Sequence, residues 1–139
     1  MSLQLDSLAK SIAGLAEAVE TEARFADTPD AALRNTLRAG VVLGFEVAYE
    51  QSWKMIQRWL RENLGPELEE QARTRRDLFR QGARAGLITD PEAWFEYGQT
   101  RNLTAHTYDE TVASSVSRVA RDFLADAEAL LRALEARHD

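Results

Sequence analysis

One stretch of the chain gathers most of the side chains able to do chemistry: Arg101-Asn102-Leu103-Thr104-Ala105-His106-Thr107-Tyr108. An arginine guanidinium can hold a phosphate through paired hydrogen bonds. A histidine titrates near neutrality and can exchange a proton with a ribose hydroxyl. Arg101 and His106 are therefore candidates for phosphate-ester chemistry, the first as phosphate holder and the second as proton-transfer group. On a straight helix Arg101 and Tyr108 share a face, as do Asn102 and His106. Arg101 and His106 would diverge by about 140° at roughly 100° per residue. They converge only where the helix ends or bends, or where a second chain brings its own copy alongside. Thr104, Thr107 and the potential cap Asp109 place such a break near Thr107. The plainer reading is a helix terminus with polar caps and a histidine serving the fold, and spacing alone leaves both open.

A second constellation is Phe45-Glu46-Val47-Ala48-Tyr49-Glu50-Gln51-Ser52-Trp53-Lys54. Phe45, Tyr49 and Trp53 recur at four-residue steps, which is ordinarily a core stripe. Glu46, Glu50 and Lys54 form a parallel charged row, ordinarily solvated, with Glu50 and Lys54 in the favourable order for a helical ion pair. The functional alternative is that Glu46 or Glu50 positions Arg101. Two carboxylates also suit Mg²⁺, but no further acidic ligands stand nearby in sequence, and no metal site is expected.

Arginine is concentrated in a third place. Arg73, Arg75, Arg76, Arg80 and Arg84 face only Asp77, so this segment carries +4 within a chain of net charge −6. Arg73, Arg76, Arg80 and Arg84 fall at steps of three, four and four, on one helical face. They make either a solvated face or a contact for RNA phosphates or an acidic partner. The overall acidity counts against a general nucleic-acid coat protein. With no cysteine and only His106 and His138 as histidines, thiolate chemistry is excluded and a His/Cys metal cluster is not expected. No Gly-rich phosphate loop, nucleophile elbow or His-Glu-x-x-His helix is present. The N-terminal stretch is interrupted by Glu17, Glu20 and Glu22, so neither a secretory leader nor a membrane span is expected, and the cytoplasm is the expected location.

The elements that must position these residues read as helices throughout. Leu5, Leu8, Ile12, Leu15 and Val19 share one face of a first helix that fades near Phe25. Thr28-Pro29 reads as a cap and first residue of a long second helix. Its stripe is Leu33, Leu37, Val41, Phe45, Ala48, Ser52, Ile56 and Leu60, stopping at Asn63-Leu64-Gly65-Pro66, with Gly40 and Gly44 marking a bend or a close contact. A third helix covers Glu70 to Ala85 and ends at Gly86. A fourth starts at Thr89-Asp90-Pro91-Glu92, with Thr89 or Asp90 as cap, and carries Trp94, Phe95 and Tyr97. A fifth runs from about Glu110 with Val112, Val116, Val119, Phe123, Ala127, Leu130 and Leu134 on its inner face. No alternating strand pattern or hairpin turn appears. The expected architecture is all-α, one domain over residues 1–139, a four- to five-helix up-and-down bundle.

The string from Arg101 to Glu110, with arginine, four residues, histidine, one residue and tyrosine, resembles the signature of HEPN-domain proteins. More narrowly it resembles the HepT-like group known as nucleotidyltransferase substrate-binding proteins. The Phe45-Glu46, Tyr49-Glu50, Trp53-Lys54 row and the Ala85-Gly86-Leu87-Ile88 turn before Trp94 are similar to that group as well, so the likeness covers nearly the whole chain.

The resemblance implies a HEPN bundle that forms a homodimer and pairs with a small nucleotidyltransferase as a toxin–antitoxin module. It implies a metal-independent endoribonuclease without cofactor, with Arg101 and His106 catalytic and Asn102 supporting. It also implies attachment of AMP to Tyr108 by the partner enzyme. A symmetric dimer would bring two copies of Arg101 and His106 to one cleft, which supplies both the base and the acid that metal-free RNA cleavage needs. The competing expectation is a non-catalytic subunit that presents a substrate or nucleotide to the nucleotidyltransferase.

Overall fold

The computed structural model describes residues 4–65 and 74–137, which form five α-helices and one short 3-10 turn with no strand. They are α1 (Asp6–Arg24), α2 (Ala31–Leu64), α3 (Arg75–Arg84), α4 (Pro91–Leu103), the turn Thr104–His106, and α5 (Glu110–Ala136). Expectations for Glu70–Arg73 and His138 lie outside the described residues.

Helix α2 is the spine. Its 34 residues span about 50 Å at the usual rise, and α1, α5, α3 and α4 all pack against it. The apolar periodicity explains why. Leu8, Ile12 and Leu15 of α1 are buried, as are Val41, Phe45, Ala48, Ser52, Ile56 and Leu60 of α2. Val116, Ala120, Phe123, Ala127, Leu130 and Leu134 of α5 close the core. The buried Ser52 hydroxyl donates to the Ala48 carbonyl at 2.7 Å, so no orphan donor is left in the apolar stripe. Of the two glycines expected to bend α2 or approach a neighbour, Gly44 does the second: a Cβ there would lie 3.2 Å from the Leu15 Cα of α1.

Phe123 anchors an aromatic centre. Its ring meets Phe45 at 5.3 Å, Trp94 at 5.4 Å and Tyr97 at 5.1 Å, all edge to face. Such geometry suits ring quadrupoles and ties α2, α4 and α5 together. The Tyr97 hydroxyl donates to the Asp126 carboxylate, a second tie between α4 and α5. Burial and that carboxylate raise the Tyr97 pKa above the ordinary tyrosine value.

The helix starts are set by side-chain caps, and one differs from expectation. Helix α2 begins after Asp30, whose carboxylate accepts from Leu33 N at 3.2 Å. Thr28 instead accepts from Asp30 N at 3.3 Å, a local turn that leaves Pro29 outside the helix. Asp90, rather than Thr89, caps α4 through Glu92 N at 3.0 Å, with Pro91 as the first helical residue. Asp109 caps α5 by accepting from Thr111 N at 2.9 Å and Val112 N at 3.4 Å.

Candidate functional site

Helix α4 stops at Leu103, several residues before the expected break, and the chain tightens into the 3-10 turn. The Thr104 hydroxyl donates back to the Arg101 carbonyl at 2.8 Å and accepts from Arg101 Nη1 at 2.8 Å. The residue three positions after Arg101 thus both ends the helix and grips the guanidinium. Only the i,i+3 spacing of an arginine and a threonine at a helix end signals this from sequence.

The other side of the Arg101 guanidinium faces α2. Nη2 lies 3.9 Å from Glu46 Oε2 and Nε lies 3.7 Å from Glu50 Oε1. All three side chains are about one-third exposed, at 33%, 30% and 32%. The Nε atom is buried and has no hydrogen-bond partner among the described residues. Glu50 does not pair with Lys54. Its Oε2 accepts the indole N–H of Trp53 at 3.2 Å, and Lys54 Nζ lies 5.8 Å from the Trp53 ring centroid. Phe45 and Tyr49 of the aromatic stripe are core residues, whereas Trp53 is half-buried beside the site.

Arg75 reaches the same cluster from α3. Its guanidinium sits 4.0 Å from the Trp53 ring centroid and its Nη1 lies 3.5 Å from the Tyr49 hydroxyl. Burial raises the Tyr49 pKa, partly offset by Arg75. The Tyr49 hydroxyl lies against α4 at Gly98, where a Cβ would approach it to 2.8 Å. A chain of contacts therefore runs from Arg75 through Trp53 and Glu50 to Arg101. Arg75 is not in the row at three- and four-residue steps. In that row Arg76 and Arg80 lie over the Phe95 ring, at 4.8 and 5.3 Å, and Arg80 also pairs with Asp77 at 3.1 Å. Arg84 is exposed, and Arg73 lies outside the described residues.

His106, the last residue of the turn, and Tyr108 beyond it are both exposed. The Tyr108 side chain is 85% exposed, its hydroxyl 3.5 Å from His106 Nδ1, with the rings edge to face at 6.0 Å. Because the α-helix ends at Leu103 and the chain tightens into the 3-10 turn, Tyr108 does not continue the Arg101 face. Asn102 is exposed, and no hydrogen bond joins Arg101 to His106 within the chain among the described residues. An open groove of about 540 Å³ runs alongside, lined by Asn35, Arg38, Val42, Leu43 and Glu46 of α2 and by Thr107 and Tyr108. Leu43 and Val47, one turn apart, are 62% and 45% exposed, and Leu103 is 41% exposed.

Among the described residues, no three His, Cys, Asp or Glu side chains cluster so as to hold a metal ion. None of the helices among those residues is long and apolar enough to cross a membrane.

Residues 3–136 match the family model of nucleotidyltransferase substrate-binding-protein-like proteins. The chain is 36% identical over 112 residues to a Haemophilus influenzae protein named "Probable ribonuclease HepT", covering 81% of this chain and 77% of that one. Among solved structures, it superimposes with a TM-score of 0.88 and 32% identity on an H. influenzae chain, covering 95% of this chain and 99% of that one. That structure is described as revealing the fold of a substrate-binding domain of a nucleotidyltransferase. A Thermus thermophilus protein superimposes with a TM-score of 0.73 and 27% identity, covering 91% of this chain and 98% of the other.

Proposed function

The chain belongs to the nucleotidyltransferase substrate-binding-protein-like family, the HepT-like group, and on that premise we propose that it is an endoribonuclease acting from a homodimeric cleft. In this reading its partner is a small nucleotidyltransferase, and the two form a toxin–antitoxin module. The observation that carries the reading is the mounting of Arg101. Glu46 and Glu50 of α2 and Thr104 of the turn hold it, Glu46 and Tyr108 line the open groove, and His106 of the same turn is exposed.

The chemistry follows from these groups. One His106 takes the proton of a ribose 2′-hydroxyl as the oxygen attacks the adjacent phosphorus. The bond from phosphorus to the 5′-oxygen breaks, and a protonated His106 of a second copy donates to that leaving oxygen. The products are a 2′,3′-cyclic phosphate and a 5′-hydroxyl, with Arg101 facing the charge that builds on the phosphoryl oxygens. In-line displacement puts the attacking and leaving oxygens on opposite sides of phosphorus, beyond the reach of one histidine at once, so this reading takes the cleft to be composite. Leu43, Val47 and Leu103 supply the apolar surface that a second copy would cover. Exposed Tyr108 is the modification point: its hydroxyl attacks the α-phosphate of ATP in the partner enzyme, pyrophosphate leaves, and the bound AMP blocks the cleft by bulk and charge.

The test is RNA digestion in EDTA with analysis of the new ends. Cyclic phosphate ends are expected, and His106→Ala should lower the rate by about 10²–10⁴-fold with the fold retained. Undiminished cleavage by His106→Ala, or cleavage only with added Mg²⁺, refutes the assignment.

One observation favours a second reading, a non-catalytic subunit that presents a nucleotide or substrate to the transferase. Two carboxylates face the single Arg101, which weakens its pull on a phosphate. Under that reading the dimer binds the transferase but cleaves no RNA at any protein concentration.

A further inference from the structure

A second open groove, of about 450 Å³, lies between the end of α1 and the starts of α2 and α5. Three arginines line it, Arg34 and Arg38 from α2 and Arg121 from α5, against one carboxylate, Glu22. Glu22 is already engaged, with Arg121 Nη1 at 3.2 Å and the Ser117 hydroxyl at 2.9 Å. Arg34 donates one nitrogen to the Thr28 carbonyl at 2.6 Å. Among the described residues Arg38 meets only a distant Glu110, at 4.0 Å, whose side chain is 84% exposed. In a chain of net charge −6 this groove is locally cationic. Phe25, which ends α1, leaves 41% of its surface exposed at the rim. Arg38 lines both this groove and the one beside Tyr108, so the two adjoin at that side chain.

We propose that this groove is a secondary binding track for single-stranded RNA, which receives the nucleotides flanking the scissile phosphate. The proposal rests on the ribonuclease reading above. Cations that follow a backbone, together with an exposed ring on which a base can stack, are the two elements of sequence-tolerant single-strand binding. Phe25 is the stacking platform, and Arg34 and Arg38 contact consecutive phosphates. The track also gives an acidic protein a local means of holding a polyanion.

The experiment measures binding of two fluorescein-labelled, 2′-O-methyl (uncleavable) RNAs of mixed sequence to the full chain, one about 20 nucleotides long and one of three. Phe25→Ala/Arg34→Gln should weaken the long RNA about tenfold or more. The slope of log affinity against log salt should become shallower by about 0.7 for each phosphate that is no longer held. The trinucleotide should change by less than about twofold. A complementary pair of variants at exposed Ser114, which lines the same groove, guards against misfolding. Ser114→Arg should tighten the long RNA and Ser114→Glu should loosen it. Equal affinity of all variants for the long RNA overturns the track, as does an equal loss for both lengths. The ribonuclease reading is tested separately on unmodified RNA. If the wild type binds through the groove but cleaves nothing, that reading fails and the track stands. If it cleaves and the variants bind like wild type, only the track fails. If it neither binds nor cleaves, both fall.

Discussion

Arg101 Nε lies 3.7 Å from Glu50 Oε1, so a guanidinium near the end of α4 is faced by a carboxylate from the middle of α2. At about one-third exposure such a pair contributes little to stability, on the order of 0–1 kcal/mol. Its consequence is geometric: with Glu46 on the next nitrogen and Thr104 behind, the guanidinium is held at one orientation.

Replacing Glu50 by Gln therefore separates position from charge. With less negative charge beside Arg101, KM for RNA should fall. The looser guanidinium should lower kcat by about tenfold, since small misplacements are costly. The melting temperature should barely move. A purely structural Glu50 would lower stability and leave KM unchanged.

Tyr108 should accept AMP when the chain is co-expressed with its nucleotidyltransferase. Peptide mass spectrometry should find the adduct on wild type and not on Tyr108→Phe. The Phe variant should still cleave RNA within a few-fold of wild type, because its hydroxyl only approaches His106, at 3.5 Å. Absence of the adduct while the transferase binds both ATP and this chain favours the passive-subunit reading.

A homodimer should appear in light scattering as twice the chain mass of 15.6 kDa. Leu43→Asp with Val47→Asp puts charge on two exposed apolar positions and should yield a folded monomer that no longer cleaves RNA. A wild type that stays monomeric at every concentration defeats the composite cleft.

Gly98→Ala should destabilise the chain by about 1–3 kcal/mol, because the new methyl meets the Tyr49 hydroxyl at 2.8 Å in a packed interior. Tyr49→Phe removes that oxygen, so the double variant should recover much of the loss. Denaturant titration of the full cycle checks it, and additive effects would mean that the contact is not the cause.

Alkaline stability should depend on Tyr97. Its pKa is raised by burial and by the Asp126 carboxylate, so above about pH 10 the unfolded chain sheds a proton that the folded chain keeps. The folded state then binds more protons, and stability falls as pH rises. The contribution is complete below about pH 10 and is lost beyond it. Urea midpoints should fall less steeply above about pH 10 in Tyr97→Phe than in wild type. The residual slope should reflect Tyr49, whose pKa is shifted the same way by burial.

Helical periodicity was legible from the residues alone, because a 3.6-residue repeat depends on local backbone geometry and on which face must leave water. It is enough for the all-α class, for the buried faces of α1, α2 and α5, and for the Asp109 cap beside the candidate motif. The residue types of Arg101, His106 and Tyr108 likewise carried the chemistry and the family resemblance. Tertiary packing decided which partners the charged groups take. Glu50 stands four residues before Lys54 in the order that favours a helical pair, yet it turns to Trp53 and Arg101. A pair along one exposed helix face is worth only a few tenths of a kcal/mol, and α4 brings a half-buried guanidinium within reach. Arg76 and Arg80 look like a solvated basic row until α4 sets the Phe95 ring beneath them. The contact between Tyr49 and Gly98, and the meeting of two grooves at Arg38, arise from residues far apart in sequence. No local spacing rule reaches across that distance, because only the packing of helices on one another brings those atoms together.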